Sequence, residues 1–301
     1  MLPCRRRIAM SRRRIYGLFA LVCLIFGSTF LAIRIGLDEG ASPLFFAALR
    51  FVSAGGCMLA LLLLTKRTSF TRLRPLLLRS AVLSLFLTVG TFGCMFIAET
   101  RVDSGLMARL DGAGPIVTAV FAAVLLGKKL NLRHGMAFVT GSAGVLLMAA
   151  PAASRSEPFF LAMAMASVVL YAAGNAVYPR LFRHEEDTVT VSALQSFVGG
   201  ILLLVAALML EDIAFTSAAV PALLYLIVGG SIVAHTATLV LVREAGPVFA
   251  SGWLYAAPVA ATALGALVLG EGVGASDFLG ILLALGGVFL LNRAETVRTG
   301  A

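Results

Sequence analysis

Residues 111–127 read DGAGPIVTAVFAAVLLG, and residues 254–270 read LYAAPVAATALGALVLG. The two stretches align without a gap at an offset of 143 residues, which places Pro115 on Pro258 and makes both stretches end in glycine. The same register continues into the next helix of each copy. Because Ala and Leu matches are common in so apolar a chain, the Pro and Gly matches carry the argument. They indicate two copies of one unit, each with a helix that proline interrupts.

The composition places the chain in lipid. Of the 301 residues, 60% are hydrophobic and 13% are charged, whereas a soluble domain has about 25% charged residues. A bilayer core is spanned by a helix of about 20 apolar residues. The sequence contains ten such segments, at 15–36, 43–65, 78–98, 104–127, 132–150, 158–179, 189–210, 218–241, 246–269 and 276–292. These segments are too long and unbroken for barrel strands, so they predict an all-α integral membrane protein with ten transmembrane helices.

The net charge of +9 reports orientation rather than nucleic-acid binding. Nineteen of the 24 Lys and Arg residues fall on one side of a ten-helix arrangement, and the other side holds only Arg101 and Arg155. The positive-inside rule therefore predicts that both termini are cytoplasmic, in the inner membrane of a bacterium. Residues 1–14 form a basic cytoplasmic N-terminus, and no small-residue cleavage site follows the first segment, which we interpret as an uncleaved span. Met10 precedes a second basic run and could be the true start.

Five spans per unit is an odd number, so the two units must cross the membrane in opposite senses. The predicted units are residues 15–150 and 158–292, and inverted repeats with interrupted helices are the sequence signature of secondary transporters. The repeat extends to the second helix of each unit at an offset of 145. There Ala-Leu-Arg, ending at Arg50, meets Ala-Leu-Gln, ending at Gln195.

Several motifs, in order, resemble one transporter family. They are FGSTFLAIRIGL at 26–37, PLFFAALRF at 43–51, LLGKKL at 125–130, GSAGVLL at 141–147, VLGEGV at 268–273 and ALGGVFLL at 284–291. Together with the two proline-centred helices, they are similar to the EamA branch of the drug/metabolite transporter superfamily. The resemblance implies ten transmembrane helices, a central cavity between the halves, and export or import of small metabolites. Two departures are Phe26, where the family often has Trp, and Lys128, where it often has Glu.

Apart from residues in the first two positions of a span, four charged residues lie inside the predicted spans: Arg34, Arg50, Arg109 and Asp111. A charge near the bilayer centre costs several kcal/mol and usually faces a cavity or a partner. Arg109 and Asp111 are two residues apart and cannot pair on one helix face. We therefore expect Asp111 to pair with Arg50 or Arg34. The charges form either a structural ion pair or a substrate or proton site.

The prolines predict free backbone acceptors near the midplane. Pro115 cannot donate to the carbonyl of Asp111, nor Pro258 to that of Leu254. These carbonyls either accept hydrogen bonds from a ligand or belong to kinks that packing satisfies.

The second half supplies further polar and aromatic groups. His235 is either a proton relay or a hydrogen-bonded filler, and Trp253 and Tyr255 are expected to roof a cavity between the prolines. The predicted substrate site is the set Arg50, Arg109, Asp111, Asn175, Gln195, His235, Trp253 and Tyr255. The pairs Gly199-Gly200, Gly229-Gly230 and Gly141-x-x-Gly144 are interpreted as close helix contacts.

Signatures of enzymes, phosphate loops and metal-spaced cysteine pairs are missing from the sequence. We expect no disulfide, since none of the four cysteines faces an oxidising compartment in this topology. We expect neither a cofactor nor a metal. The leading hypothesis is a secondary transporter, more specifically an exporter, of small polar metabolites such as amino acids, driven by a proton or an exchange ion. The excess of Arg over acid within the spans fits a substrate with a carboxylate. The alternatives are a polytopic membrane enzyme acting on lipid and a non-transporting scaffold.

Overall fold

The computed structural model describes residues 10–153, 157–182, 186–259 and 275–296. Within these ranges every regular element is a helix. The α-helices are α1 Arg12–Asp38, α2 Pro43–Leu64, α3 Phe70–Ser84, α4 Thr91–Glu99, α5 Ser104–Leu110, α6 Gly114–Leu126, α7 Leu132–Ala153, α8 Pro158–Leu181, α9 Thr188–Leu210, α10 Val220–Tyr225, α11 Thr236–Ala245, α12 Pro247–Ala250, α13 at 253–259, and α14 Ala275–Thr296. Most of the second copy of the repeated stretch, after residue 259, lies outside the described residues.

Among the described residues, seven helical segments are long and apolar enough to cross a membrane. They are Arg12–Asp38, Pro43–Leu64, Phe70–Glu99, Ser104–Leu126, Pro158–Leu181, Thr188–Leu210 and Ser217–Ala245, with a shorter apolar helix at Phe278–Ala294. Large apolar side chains are exposed along these helices, among them Leu64 at 82% and Leu78 at 76%. Such a surface is stable against lipid tails and would be a liability in water. The prediction of an all-helical membrane protein is confirmed.

Three of these segments are locally irregular. The segment Phe70–Glu99 contains a π-helical stretch at Leu85–Gly90, and the segment Ser217–Ala245 contains another at Leu226–His235. The repeat offset of 143 carries 85–90 onto 228–233, so the two π-helical stretches occupy equivalent positions. The hydroxyl of Thr91 donates to the carbonyl of Phe86, five residues earlier, and that carbonyl also accepts a backbone N–H at the end of the stretch. Neither π-helical stretch was predicted from the sequence.

The third irregularity lies at the proline of the first repeat. Residues Asp111–Ala113 form a 3₁₀ turn between α5 and α6, and Pro115 lies in the first turn of α6. At the other end of α6, Gly127 adopts φ 64°, the left-handed conformation in which glycine ends a helix without steric cost. The predicted interruption at Pro115 is therefore confirmed.

Close glycine contacts join the two predicted repeats. The most extensive helix contacts pair α2 with α9 and α7 with α14. A Cβ added to Gly55 would lie 2.4 Å from the backbone nitrogen of Phe197, and one added to Gly200 would lie 2.5 Å from that of Val52. Backbones this close require glycine on both helices.

The α7–α14 contact is built in the same way. A Cβ on Gly144 would lie 2.5 Å from the carbonyl oxygen of Gly280, and one on Gly287 would lie 2.5 Å from the Cα of Gly141. The close contacts predicted for Gly141, Gly144, Gly199, Gly200 and Gly230 are confirmed. Gly229 is less tightly packed, because an added Cβ would stay 3.4 Å from its nearest neighbour, a ring atom of Tyr225.

Hydrogen bonds also join the loops at one end of the bundle, which we call the acidic end (the α1–α2, α4–α5 and α9–α10 connections). The carboxylate of Glu211 accepts the backbone N–H groups of Leu44 and Phe45 at 2.8 and 3.0 Å. These donors are free at the start of α2, where the helix dipole also favours an anion. The hydroxyl of Ser42 donates to the carbonyl of Asp212 at 2.9 Å.

The glycine contacts generate a direct test, because Gly56 next to Gly55 is a matched control. An added Cβ on Gly56 would make only ordinary contact, at 3.6 Å, with the ring of Phe197. We expect Gly55→Ala to cost about 1–3 kcal/mol of stability through overpacking, and Gly56→Ala to change it by less than about 0.5 kcal/mol. Thermal melts of the detergent-purified variants measure both. Equal melting temperatures for the two would contradict the packing described above.

Candidate functional site

A small cavity of about 20 Å³, room for about one water molecule, lies between the helices. It is lined by Phe26, Thr29, Phe30, Thr91, Phe92, Met95, Asp111, Ser167, Tyr171 and Trp253. The wall is thus largely aromatic, with a few hydroxyl groups and one carboxyl group. This is the usual composition of a small-molecule site, in which apolar side chains supply the area and a few polar groups fix the orientation.

The aromatic wall is held in place by its own contacts. The indole N–H of Trp253 donates to the hydroxyl of Tyr171 at 3.0 Å, and its ring lies 4.6 Å from that of Phe26. Satisfying the indole nitrogen inside the protein fixes the ring orientation. Trp253 therefore lines the cavity, as the sequence analysis anticipated.

Asp111 is the acidic member of the cavity wall. It lies on the 3₁₀ turn and is 5% exposed, and within the described residues its carboxylate has no hydrogen bond or salt bridge. Its backbone carbonyl is not free, however, because the 3₁₀ turn pairs it with the N–H of Gly114. Of the two alternatives for this carbonyl, the structure favours the locally satisfied kink, because the tighter turn supplies the donor.

Arg50 is buried directly behind the cavity wall. It is 0% exposed, and its guanidinium carbon lies 4.8 and 4.7 Å from the ring centroids of Phe51 and Phe92, two rings that are themselves in contact at 4.6 Å. Its Nε donates to the hydroxyl of Ser231 at 2.8 Å, whereas Nη1 and Nη2 have no hydrogen-bond partner in the described part of the chain. Phe92 contacts the guanidinium and also lines the cavity, whereas Arg50 is not itself a lining residue, so the ring of Phe92 links the guanidinium to the cavity.

The ion pair expected between Asp111 and an arginine is not formed. Arg34 instead pairs with Asp38, one turn later on α1, at 2.9 Å, and donates to the carbonyl of Glu99 at 3.1 Å. Arg34 lies near the acidic end, where Asp38 is available one turn later on the same helix, and it pairs with this local partner instead of with Asp111 on another helix.

Gln195 and His235 extend the buried polar groups away from Arg50. The hydroxyl of Thr88 donates to Oε1 of Gln195 at 2.8 Å, and the amide Nε2 of Gln195 contacts Nε2 of His235. The amide nitrogen also donates to the hydroxyl of Ser196 at 3.1 Å. His235 is 1% exposed, and its Nδ1 has no partner within the described ranges.

The contacts of Arg50 and Gln195 are related by the sequence repeat. Arg50 matches Gln195 at an offset of 145, and Thr88 matches Ser231 at an offset of 143. Each second-helix side chain bonds to the π-helical stretch of the opposite half. The two halves thus make equivalent crossed hydrogen bonds, one of which carries a charge.

The remaining predicted residues lie away from the central cavity. Arg109 donates to the carbonyl of Met148 at 2.7 Å and faces a separate groove beside α7. Tyr255 packs against Gly141, with its hydroxyl 3.4 Å from that of Ser142. Asn175 donates to the carbonyl of Tyr171 at 2.9 Å, behind the aromatic wall.

The two broken helices touch rather than face each other across open space. Pro115 and Pro258 are both buried. A Cβ on Gly114 would lie 2.3 Å from Cδ1 of Leu254, so the start of α6 packs directly on α13. The expected cavity roof of Trp253 and Tyr255 therefore reduces to Trp253 alone, because the two side chains point to different neighbours.

Glu99 is a buried residue that sequence reasoning missed. It is 0% exposed, and neither carboxylate oxygen has a hydrogen-bond partner among the described residues. The signal was present in its spacing, since Phe92, Met95 and Glu99 recur at i, i+3 and i+7 on one helix face. Phe92 and Met95 line the cavity.

Known proteins provide an independent comparison. A model described as the EamA-like transporter family matches residues 13–150 and again residues 159–293. The chain is 29% identical over 283 residues to an Escherichia coli K12 protein named "Uncharacterized inner membrane transporter YedA", covering 92% of this chain and 89% of that one. It is 26% identical to the "Uncharacterized transporter YoaV" of Bacillus subtilis, covering 89% and 93%.

Other similarities extend this result. "Protein PecM" of Dickeya dadantii is 27% identical over 68% of this chain and 71% of its own. A crystal structure described only as that of a protein matches with a TM-score of 0.72 and 19% identity, over 97% of this chain and 100% of that one, which shows a shared fold. Since the family model matches most of the sequence, the chain belongs to the EamA-like transporter family.

Proposed function

We propose that the protein is a multi-pass inner-membrane secondary transporter, and specifically an exporter, that moves small polar metabolites through the central cavity by alternating access. The observation that carries this proposal is the buried guanidinium of Arg50, whose two Nη groups lack partners in the described residues beside an aromatic cavity. A buried charge with unused donors inside a membrane protein is a functional feature rather than a stabilising one.

The chemistry of the cavity favours a substrate with a carboxylate and an apolar part, such as an amino acid or a related compound. The two Nη groups of Arg50 match a carboxylate in a bidentate arrangement. Trp253, Tyr171 and Phe26 supply the surface for an apolar side chain. The carboxyl group of Asp111 is positioned to receive an ammonium group. In this proposal Gln195, His235 and Asn175 support the lining residues from behind the cavity wall. Arg109 and Tyr255 contribute from farther away.

The proposed topology is ten transmembrane helices in two inverted repeats, with both termini cytoplasmic. Two matches to one family model, at residues 13–150 and 159–293, support the repeat. The crossed hydrogen bonds of Arg50 and Gln195 support an inverted relation between the halves. The basic residues outside the spans support the orientation, with the acidic end facing outward.

Alternating access requires contacts at each end that can open. At the acidic end Glu211 bonds the start of α2. At the opposite, basic end, Arg79 pairs with Glu186 at 2.8 Å and donates to the carbonyl of Leu181 at 3.0 Å. In this proposal one set separates while the other holds, and the glycine contacts of α2 with α9 act as the pivot.

A polytopic enzyme and a scaffold remain the alternatives. An enzyme would require clustered ligands or acids at a membrane face, and the described residues contain no group of three or more His, Cys, Asp or Glu suited to a metal. A transporter returns its substrate chemically unchanged, so product analysis separates the two classes.

The first test concerns Arg50. In cells overexpressing the protein, metabolite profiling of medium and cytoplasm should identify a carboxylate compound whose distribution changes. Arg50→Gln should then lower flux per inserted molecule about 10- to 100-fold, the loss expected for hydrogen bonds to a charged group. The variant should still fold, because Gln is the residue that the second half uses at the matching position. Arg101→Gln, on an exposed residue, is the control, and equal flux in the two variants would remove Arg50 from the site.

The topology has its own test. A topology reporter fused after Arg298 should report a cytoplasmic location. A reporter fused after Asp212 should report an external location. If both fusions report the same side, the inverted arrangement is wrong.

The role of the 3₁₀ turn can be tested at Pro115. Pro115→Ala restores an N–H that competes for the carbonyl of Asp111 and draws the turn towards a regular α-helix. We expect flux to fall while membrane insertion is retained, because the carboxyl group of Asp111 would leave the cavity wall. Pro75→Ala, on an exposed helix residue, controls for loss of a helix proline. Unchanged flux in Pro115→Ala would mean that the turn is only architectural.

A further inference from the structure

Glu99 poses an energetic problem that its surroundings do not solve. Its side chain is fully buried at the end of α4, and both carboxylate oxygens lack a hydrogen-bond partner within the described residues. The nearby Arg34 donates to the backbone carbonyl of Glu99 while pairing its Nε with Asp38. An isolated carboxylate in such a place costs several kcal/mol, whereas a protonated carboxyl group is far less costly.

Glu99 and Asp111 lie on elements that both contribute to the cavity wall. Glu99 continues the helix face whose Phe92 and Met95 line the cavity, and Asp111 lines it from the 3₁₀ turn. The two acids lie within electrostatic reach of each other. Neither carboxyl group has a hydrogen bond or salt bridge within the described chain, so neither is paired directly with a cation.

The other charged and titratable groups around Glu99 come from three helices. Arg34 on α1 and Arg50 on α2 are within electrostatic reach of Glu99, and Tyr171 on α8 is within reach of Asp111. Arg34 is already balanced by Asp38. Arg50 therefore supplies one positive charge against two carboxyl groups, which leaves one excess negative charge if both are ionised. Like charges in a low dielectric do not both persist when one can bind a proton.

We propose that Glu99 and Asp111 form a proton-binding site at the acidic end of the cavity, and that the pair holds one exchangeable proton while Arg50 carries the balancing charge. Protonation adds one H⁺ to a carboxylate oxygen and forms an O–H bond, and release returns it to water. Na⁺ is a poorer occupant, because it needs several oxygen ligands and two arginines stand nearby.

The proposal gives the transporter a coupling ion, and this part rests on the proposed function. A substrate carboxylate on Arg50 adds one negative charge to the cavity and favours the binding of a second proton. Anionic substrate and proton then bind together. The proton-binding site itself does not depend on the proposed function, because the two carboxyl groups are in place without a substrate.

The test is infrared difference spectroscopy of the purified protein in phosphatidylcholine–phosphatidylglycerol nanodiscs, without any substrate, as pH is varied. A buried protonated carboxylic acid shows a C=O stretch that shifts in D₂O. We expect such a band, we expect Glu99→Gln to remove it or transfer it to Asp111, and we expect Glu99→Gln with Asp111→Asn to abolish it. Glu39→Gln, on an exposed acid, should leave it unchanged. Absence of the band, or its survival in the double variant, would overturn the proposal.

Thermal melting adds a second readout that needs no band assignment. If Glu99 holds a proton, the neutral isostere in Glu99→Gln should melt within a few degrees of the parent protein. If Glu99 is instead an ionised partner of an arginine, the same variant strands a buried cation and should melt far lower. That second outcome would overturn the proposal, even if transport through the cavity is established.

Discussion

The hydrogen bond between Arg50 on α2 and Ser231 in the π-helical stretch of Leu226–His235 is the contact on which the centre of this structure depends. It brings a guanidinium into the middle of an apolar bundle. It also places that group against two adjacent aromatic rings, Phe51 and Phe92, while Nη1 and Nη2 have no hydrogen-bond partner in the described residues. A charge can remain in such a place only when neighbouring elements hold it rigidly. The cavity and the irregular helices around it follow from this requirement.

The second half makes the same contact without the charge. Gln195 receives the hydroxyl of Thr88 from the π-helical stretch Leu85–Gly90. Two equivalent wide turns thus present two equivalent hydroxyl groups to two equivalent second helices. A wide turn shifts the side chains that follow it and frees a backbone acceptor, which is why such turns recur at functional sites. The fold is therefore close to symmetric, while its electrostatics are not.

This asymmetry concentrates the chemistry in the first half. Arg50, Glu99 and Asp111 all belong to it, whereas the second half contributes Trp253 and Tyr171 to the cavity wall and Gln195 and His235 behind it. The glycine contacts between α2 and α9 bring the two contributions together at backbone distance. A substrate in the cavity would then meet charged groups of the first half and an aromatic surface to which both halves contribute.

The sequence by itself determined that the protein is helical and embedded in lipid, and that it consists of two repeats. Low charge and long apolar segments require helices in lipid, because backbone groups there must be satisfied within the helix. The repeated Pro and Gly residues located a break at Pro115, and the matching glycines located the close helix contacts. Residue types in one periodic pattern carry this information. A polar or aromatic group inside a span marks a candidate for the cavity wall, and of these candidates Trp253 and Asp111 line the cavity whereas Arg109, Tyr255 and Asn175 do not.

Only the tertiary structure decided which of these groups meet. In the structure Arg109 and Tyr255 lie away from the cavity, and Arg34 pairs with Asp38. The carbonyl of Asp111 accepts a hydrogen bond within the 3₁₀ turn. The structure also shows that the side chain of Glu99 is fully buried. These outcomes depend on rotations of a few tens of degrees about helix axes, and on π-helical and 3₁₀ turns that shift the facing side chains. Hydrophobic periodicity averages over such rotations, so packing against specific neighbours is what sets them.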